Sequence, residues 1–374
     1  MNITVVGGGN LGTLLCAKLS MNRQNNVTLL TEKTEKFSDK LEVIDEENQK
    51  KFFSYTISIT ENYKRALMDA DIVFCTLPSF LRENFVNQAK DYLKKTCLLG
   101  FVPGYGGIEF ICSDLIKQGI CLFGFSRVPY ICRLKAYGKS VICKSEKKEI
   151  FLGTIPANRA PEVAELIQML FNIKTYSLSS YLSVTLTPSN PILHTSRIYD
   201  LFGFYAKDMI YNYHSYFYED WTDKASDILM KCDEELQNIV KVLFRQMNIS
   251  TSEVLPLFQH YGVSNSKELT NKIKTIDSFK QILSPMIPFK QGYIPDLTSR
   301  YFIEDFSFGL VVIKGIGLIA EVETQGIDKV LDWYSSLSGE KYFDGNKPGL
   351  DLMKCGAPQK YKITSLEQLH TIYS

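Results

Sequence analysis

Of the four histidines in this 374-residue chain, His194, His214, His260 and His370, only His194 stands among other groups able to do chemistry. It lies in TPSNPILHTSR, behind a proline suited to the first position of a helix. Asn190 precedes it by four residues, so both side chains can share one helical face turned towards an interdomain cleft. A redox step that makes or breaks an X–H bond needs a group that exchanges protons near neutral pH, and imidazole does so. Such an imidazole needs a carboxylate to orient it and to stabilise its cation. Arg300 and Asp305, five apart in RYFIEDFSFGL, are the best candidates, because ionised groups in an aromatic stretch are costly unless paired. Each residue has a plainer reading as well. Asn190 could cap the helix, His194 could be a satisfied core histidine, and Arg300 and Asp305 could form an internal ion pair. His214 sits in a Tyr/Phe-rich stretch and reads as packing, and His260 and His370 have no polar constellation.

A second chemical signature opens the chain. Gly7, Gly9 and Gly12 in VVGGGNLG fit G-x-G-x-x-G, directly after a strand and at the start of a helix. In that context Gly7 permits the tight turn, Gly9 lets the backbone approach a pyrophosphate, and Gly12 lets helix and strand pack closely. The amides of Asn10 and Leu11 then meet negative charge with the helix dipole behind them. The alternative is a glycine turn chosen only for packing. Where an acidic residue would read the ribose hydroxyls of NAD, the second strand ends in Thr31, followed by Glu32, Lys33, Thr34 and Lys36. A hydroxyl with Lys33 and Lys36 nearby suits the 2′-phosphate of NADPH, which is favoured over NADH. Glu32 could still take the acidic role, and the loop could be merely a solvated charged turn. Leu77 and Pro78 end another strand, and VPGYGG ends the next, both where cofactors sit in doubly wound folds.

These residues must be held by elements the sequence also outlines. Asn2–Val6, Val27–Leu30, Asp71–Leu77 and Thr96–Val102 are apolar runs with helix-length segments between them, the pattern of a parallel sheet covered by helices. Cys121–Phe125, Ser140–Cys143, Glu149–Thr154 and Lys174–Leu178 read as later strands, in part an antiparallel edge, with a helix over Ala160–Phe171. Beyond Tyr181 helical periodicity dominates, over Pro191–Tyr211, Ala225–Met247, Leu269–Ile276, Phe308–Glu323 and Gly326–Leu337, with Ser284–Thr298 as a loop. The expectation is an α/β Rossmann domain over residues 1–182, with a parallel doubly wound sheet, followed by a mostly α-helical substrate domain over 183–374. Length supports two domains.

Composition narrows the classes. Forty-two basic and forty-one acidic residues leave a near-neutral protein, which argues against a broad nucleic-acid or anionic-membrane surface. Nine scattered cysteines, without CxxC or Cys/His spacing, read as reduced buried thiols and give no metal site. The chain opens directly on a strand, and its longest apolar stretch, GLVVIKGIGLIAEV, is broken by Lys314. The expectation is therefore a soluble, cytoplasmic protein.

NPILH followed by RIYD resembles the segment carrying the catalytic histidine in the opine dehydrogenase family (the NAD/NADP octopine and nopaline dehydrogenases). RYFIEDFSFGLV resembles that family's arginine- and aspartate-bearing motif. PGYGGIEF, FSRVPYICR, FYEDW and GIDKVLDW extend the resemblance over nearly the whole chain. Phe306-Ser307 replaces the apolar-Pro step usual after the aspartate, and the proline common before Ile327 is absent. The resemblance implies reductive condensation of an amino acid with an α-keto acid by NAD(P)H. His194 would be the general acid-base, and Asp305 would hold and polarise it. Arg300 would bind a carboxylate, with Arg133 as a second candidate, and Asn190 would position substrate. The partners implied are those two small molecules, with no nucleic acid and no membrane, and a homodimer is the expected assembly. Ketopantoate reductase, glycerol-3-phosphate dehydrogenase and 6-phosphogluconate dehydrogenase share the two-domain plan but resemble one another in using a lysine base. A non-catalytic NADPH sensor would not need the His194, Asn190, Arg300 and Asp305 set.

Overall fold

Residues whose neighbours on both faces are apolar form the centre of the structure's main sheet. In the computed structural model, which describes residues 1–187, 190–207 and 209–373, Ile72–Cys75, Leu98–Phe101 and Cys121–Phe125 are buried at every position. Numbering strands along the chain gives β1 (Asn2–Val6), β2 (Asn26–Leu30), β3 (Glu42–Asp45), β4 (Lys50–Phe53), β5 (Ser58–Thr60), β6 (Ile72–Cys75) and β7 (Leu98–Phe101). Then follow β8 (Cys121–Phe125), β9 (Tyr130–Ala136), β10 (Ser140–Glu146), β11 (Glu149–Ile155) and β12 (Lys174–Ser177). Eight of these build one sheet in the order β12-β11-β8-β7-β6-β1-β2-β5. All pairings are parallel except β11 with β8, so the expected antiparallel element is present but lies one strand inside the edge. The chain leaves β1 towards β2 on one side, while β6 flanks β1 on the other. That divergence leaves a crevice at the carboxyl ends of β1 and β6, where doubly wound folds hold ligands.

Local periodicity located eight of these strands but not β3, β4, β5 and β9, nor every partner. Ser140–Cys143, expected in the main sheet, belongs instead to a separate four-stranded sheet of order β4-β3-β10-β9. There β3 runs parallel to β10 although about a hundred residues separate them, a pairing no local pattern encodes.

The described chain divides into two units, Met1–Thr185 with the residues from His370 onward, and Leu186–Leu369. Helices dominate the second, notably Asn190–Phe202, Asp223–Met247 and Gln325–Ser338. The helix expected over Pro191–Tyr211 stops at Phe202, because the chain turns back and brings Tyr211 edge-on to Phe202, with centroids 5.7 Å apart. The expected loop Ser284–Thr298 contains an antiparallel hairpin, Met286–Phe289 with Gly292–Pro295. The helix expected over Phe308–Glu323 is a π-helical turn over Phe306–Leu310 running into an α-helix over Val311–Ile319. Among the described residues no helix is long and apolar enough to cross a membrane. All nine cysteines are free and buried.

In the first unit a buried glutamate gathers two distant segments. Glu109 Oε1 lies 2.5 Å from Thr185 Oγ1 and 2.7 Å from Tyr373 Oη, so it accepts from both hydroxyls. Burial pushes its carboxyl above the ordinary value, against the pull of those two hydrogen bonds.

Candidate functional site

The glycine loop follows from the crowding around it. Gly7 has φ +96°, a conformation that favours glycine. A Cβ on Gly12 would stand 1.8 Å from the Gly7 carbonyl oxygen, so helix and strand meet here as closely as backbone allows. Gly9 is different: a Cβ there would meet nothing within 4 Å. Its lack of a side chain is not needed for packing and leaves an exposed cradle at the start of the helix Asn10–Ser20, whose first amides have no intrahelical partner. That cradle fits a dinucleotide pyrophosphate. Asn10 also has a structural task, since its Oδ1 accepts from the Leu134 amide at 2.9 Å and ties β9 to the loop. Leu11 packs against the core.

Leu77 and Pro78 follow β6, beside the loop, and the Leu77 side chain would be 2.8 Å from a Cβ on Gly7. Thr76, directly after β6, and Arg82, which carries no local signal, fix this edge. Thr76 Oγ1 lies 2.9 Å from the Val6 carbonyl and 3.2 Å from that of Gly7. The fully buried Arg82 donates from Nε to Leu77 O at 2.9 Å and from Nη1 to Tyr105 O at 2.8 Å, joining the loops after β6 and β7. At the end of β2, Thr31 bonds through its amide to Thr60 O, and Lys33 and Lys36 are exposed. Lys33 Nζ lies over the Tyr137 ring, 5.5 Å from its centroid. Arg133 is exposed on β9, donating to Cys132 O, while its neighbours Cys132 and Leu134 face the core.

In the second unit the structure brings together residues 111 positions apart. His194 Nδ1 lies 2.8 Å from Asp305 Oδ2, with His194 8% exposed and Asp305 5% exposed. Burial raises the Asp305 carboxyl above its ordinary value, and the adjacent imidazole opposes that rise. An ionised carboxylate can only accept, so Nδ1 carries the proton and donates the hydrogen bond to Asp305. Asp305 thereby fixes the tautomer and directs the basic lone pair of Nε2 away from itself. Tyr218 Oη lies 2.8 Å from Nε2. Tyr301 and Phe217 flank the imidazole, with centroids at 4.8 Å and 5.5 Å.

Arg300 does not form its ion pair with Asp305. Its Nε pairs with Glu304, one turn on along the same helix, whose side chain is 2% exposed against 63% for the arginine. A buried carboxylate thus anchors an exposed guanidinium. Asn190 begins the helix that carries His194, while Pro188 and Ser189 of the same motif lie outside the described residues. His214 is a packing histidine: its Nε2 donates to the Ser284 carbonyl at 2.8 Å and its ring lies against Tyr293. The buried lysine of this unit, Lys314, pairs with Asp328 at 2.7 Å.

Comparison with known proteins agrees with both halves of this arrangement. Residues 2–110 match the NAD-dependent glycerol-3-phosphate dehydrogenase N-terminus, and residues 177–338 match the NAD/NADP octopine/nopaline dehydrogenase alpha-helical domain. The chain is 28% identical to tauropine dehydrogenase of Arabella iricolor, covering 98% of this chain and 99% of that protein. It is 24% identical to octopine dehydrogenase of Pecten maximus, covering 99% of each. The fold matches a solved octopine dehydrogenase complex with NADH and L-arginine at a TM-score of 0.90 and 22% identity, over 100% of this chain and 98% of that one. An N-terminal half that matches a dinucleotide-binding model and a helical region that matches the octopine/nopaline dehydrogenase model, with relatives aligned from end to end, make the whole chain similar to the opine dehydrogenases.

Proposed function

We propose that the protein catalyses the NAD(P)H-dependent reductive condensation of an α-keto acid with the amino group of an amino acid. The observation that carries this reading is the His194–Asp305 pair, a buried imidazole held in one tautomer within the octopine/nopaline-type helical unit. Bound at the glycine cradle, the nicotinamide dinucleotide supplies the hydride. The protein's own groups supply alignment and protons. The amine must lose a proton to attack the keto carbon, and the resulting adduct must regain one to expel water. His194 serves both steps through Nε2, and Asp305 stabilises the imidazolium between them. Arg300, anchored by Glu304, holds a substrate carboxylate through its planar fork, and Asn190 positions substrate at the head of the same helix as His194. Arg133 is the weaker second carboxylate candidate, since it stands on an exposed strand face of the dinucleotide unit.

NADPH is the cofactor this reading favours. Thr31 stands where an acid would repel a 2′-phosphate, and the exposed Lys33 and Lys36 follow it. The similar octopine dehydrogenase structure holds NADH, so the lysines carry this part alone. A cytoplasmic location belongs to the same proposal, because nine buried thiols suit a reducing compartment.

The test is oxidation of NADPH and of NADH with pyruvate and other keto acids, with and without a panel of amino acids that includes taurine and arginine. Turnover should require both substrates. The product should be a secondary amine with the mass of both, less water, plus two hydrogens. Rapid conversion of a keto acid alone to its hydroxy acid would overturn the proposal.

A further inference from the structure

We propose that Tyr218 relays the proton between His194 and the substrate, so that the phenol, rather than the imidazole, touches the reacting atoms. The inference rests on the reading of His194 as the acid-base and adds the path its proton takes.

Both imidazole nitrogens are engaged. Asp305 holds Nδ1–H at 2.8 Å, and Tyr218 Oη stands 2.8 Å from Nε2, where its hydroxyl donates to the lone pair. A substrate can reach Nε2 directly only if the phenol leaves, and the ring is held on several sides. Phe279 stacks on it with centroids 4.0 Å apart and planes 16° apart, Phe217 meets it edge-on at 4.8 Å, and Trp221 lies parallel at 7°. Tyr218 is 5% exposed. Burial raises its phenol well above the ordinary value, which disfavours a phenolate and suits a group that gives one proton only as it receives another.

The step balances without any oxidant. The ammonium form of the amino group gives one N–H proton to Tyr218 Oη while the original phenolic proton passes to His194 Nε2. The freed nitrogen pair forms the C–N bond as the C=O π pair moves onto oxygen, and a second N–H proton crosses to that oxygen within the adduct, leaving a neutral carbinolamine. When water is expelled, the flow reverses. The Nε2–H bond breaks and a new Oη–H bond forms, while the previous Oη–H proton passes to the departing oxygen. The C–O pair leaves with that oxygen, and the nitrogen lone pair closes the C=N bond. Tyrosine and histidine both end as they began.

The test compares the wild-type enzyme with Tyr218→Phe, which keeps the stacked ring and removes the hydroxyl. Single-turnover rates are measured in mixtures of H2O and D2O, with substrates for which deuterium on the nicotinamide has no effect, so that condensation and not hydride transfer limits the rate. A relay moves two protons together, so the wild-type rate should fall along a curve as deuterium rises. In Tyr218→Phe the plot should straighten, with kcat lower by about 10–100-fold and KM within about threefold. A wild-type plot that is already straight, or a Tyr218→Phe kcat within about twofold of wild type, would overturn the relay. If the variant folds poorly, the wild-type plot decides. A wild-type enzyme inert with every keto acid and amine pair would instead overturn the functional reading, which is a different result from an active enzyme with a straight plot.

Discussion

Asp305 accepts a hydrogen bond from His194 Nδ1 at 2.8 Å, and both side chains are buried, so the two act as one unit. Removing either member should therefore cost nearly what removing both costs. His194→Ala should lower kcat by about 10²–10⁴-fold. Asp305→Asn should lower it as well, and the double variant should be little worse than His194→Ala. Dinucleotide affinity, measured by fluorescence titration, should stay near wild type in all three, because the glycine loop belongs to the other unit. A folded His194→Ala enzyme with near-full turnover would place the base elsewhere.

The Arg300–Glu304 pair separates binding from proton transfer. Arg300→Ala removes a charge-assisted contact to a carboxylate and should raise KM for a substrate by about 10–100-fold with a smaller change in kcat. It also strips the buried Glu304 of the guanidinium it pairs with. The double variant Arg300→Ala/Glu304→Gln controls for that loss. If it recovers the wild-type KM, Arg300 acts on stability and not on substrate.

Two glycines of one loop should fail in different ways. Gly12→Ala puts a methyl 1.8 Å from the Gly7 carbonyl oxygen and should destabilise the unit outright. Gly9→Ala meets no protein atom within 4 Å, so its melting temperature without ligand should match wild type. Its affinity for the dinucleotide should still fall by roughly tenfold or more, about 1.4 kcal/mol. Equal dinucleotide affinity in Gly9→Ala and wild type would refute the cradle.

Lys33 and Lys36 should act on one cofactor only. Lys33→Ala/Lys36→Ala should weaken NADPH by about tenfold or more while leaving NADH nearly unchanged, because a lost phosphate contact matters only where the phosphate exists. A parallel loss for both cofactors, or a wild-type preference for NADH, would exclude a 2′-phosphate site here.

Glu109 predicts a pH dependence of stability. Its folded-state pKa is raised by burial, so the folded protein holds this proton more tightly than the unfolded chain does. The associated stabilisation is complete below the unfolded value, about 4.3, and is lost as pH rises through the folded value. Glu109→Gln keeps an oxygen for Thr185 and Tyr373 but has no proton to lose. Relative to wild type it should therefore gain stability above about pH 4.3, by up to about 1.4 kcal/mol per pH unit. Urea titrations from pH 4 to pH 8 measure this, and a constant difference across that range would mean that Glu109 stays ionised in the fold.

The most legible features in the sequence were those written locally. Gly7, Gly9 and Gly12 could be assigned separate duties because a strand precedes them and a helix follows. The continuous apolar runs of β6, β7 and β8 announced a sheet covered on both faces. The pairing of His194 with Asp305 was readable through the opine dehydrogenase resemblance, since 111 residues separate them and no period connects them. The i, i+4 spacing in RYFIE is a local signal for pairing Arg300 with Glu304, masked in the sequence by the need of His194 for a carboxylate close by. Tyr218 lay inside the FYEDW motif, yet nothing local in that motif points its hydroxyl at Nε2. The joining of β3 to β10 was hidden for the same reason: each strand is ordinary alone, and only the folded chain chooses the partner.

The bond from Tyr373 to Glu109 also bears on the order in which the protein can mature. Domains emerging from a ribosome generally fold from the N-terminal side first. Here the dinucleotide unit must wait, because the hydroxyl that completes its buried glutamate is synthesised 264 residues after it. Until then Glu109 has Thr185 alone, and its surroundings lack the ring that closes them. The unit made first is thus finished last, after the whole helical unit has been translated, and a nascent chain halted before Tyr373 should present its nucleotide-binding half in a loosened, protease-sensitive state.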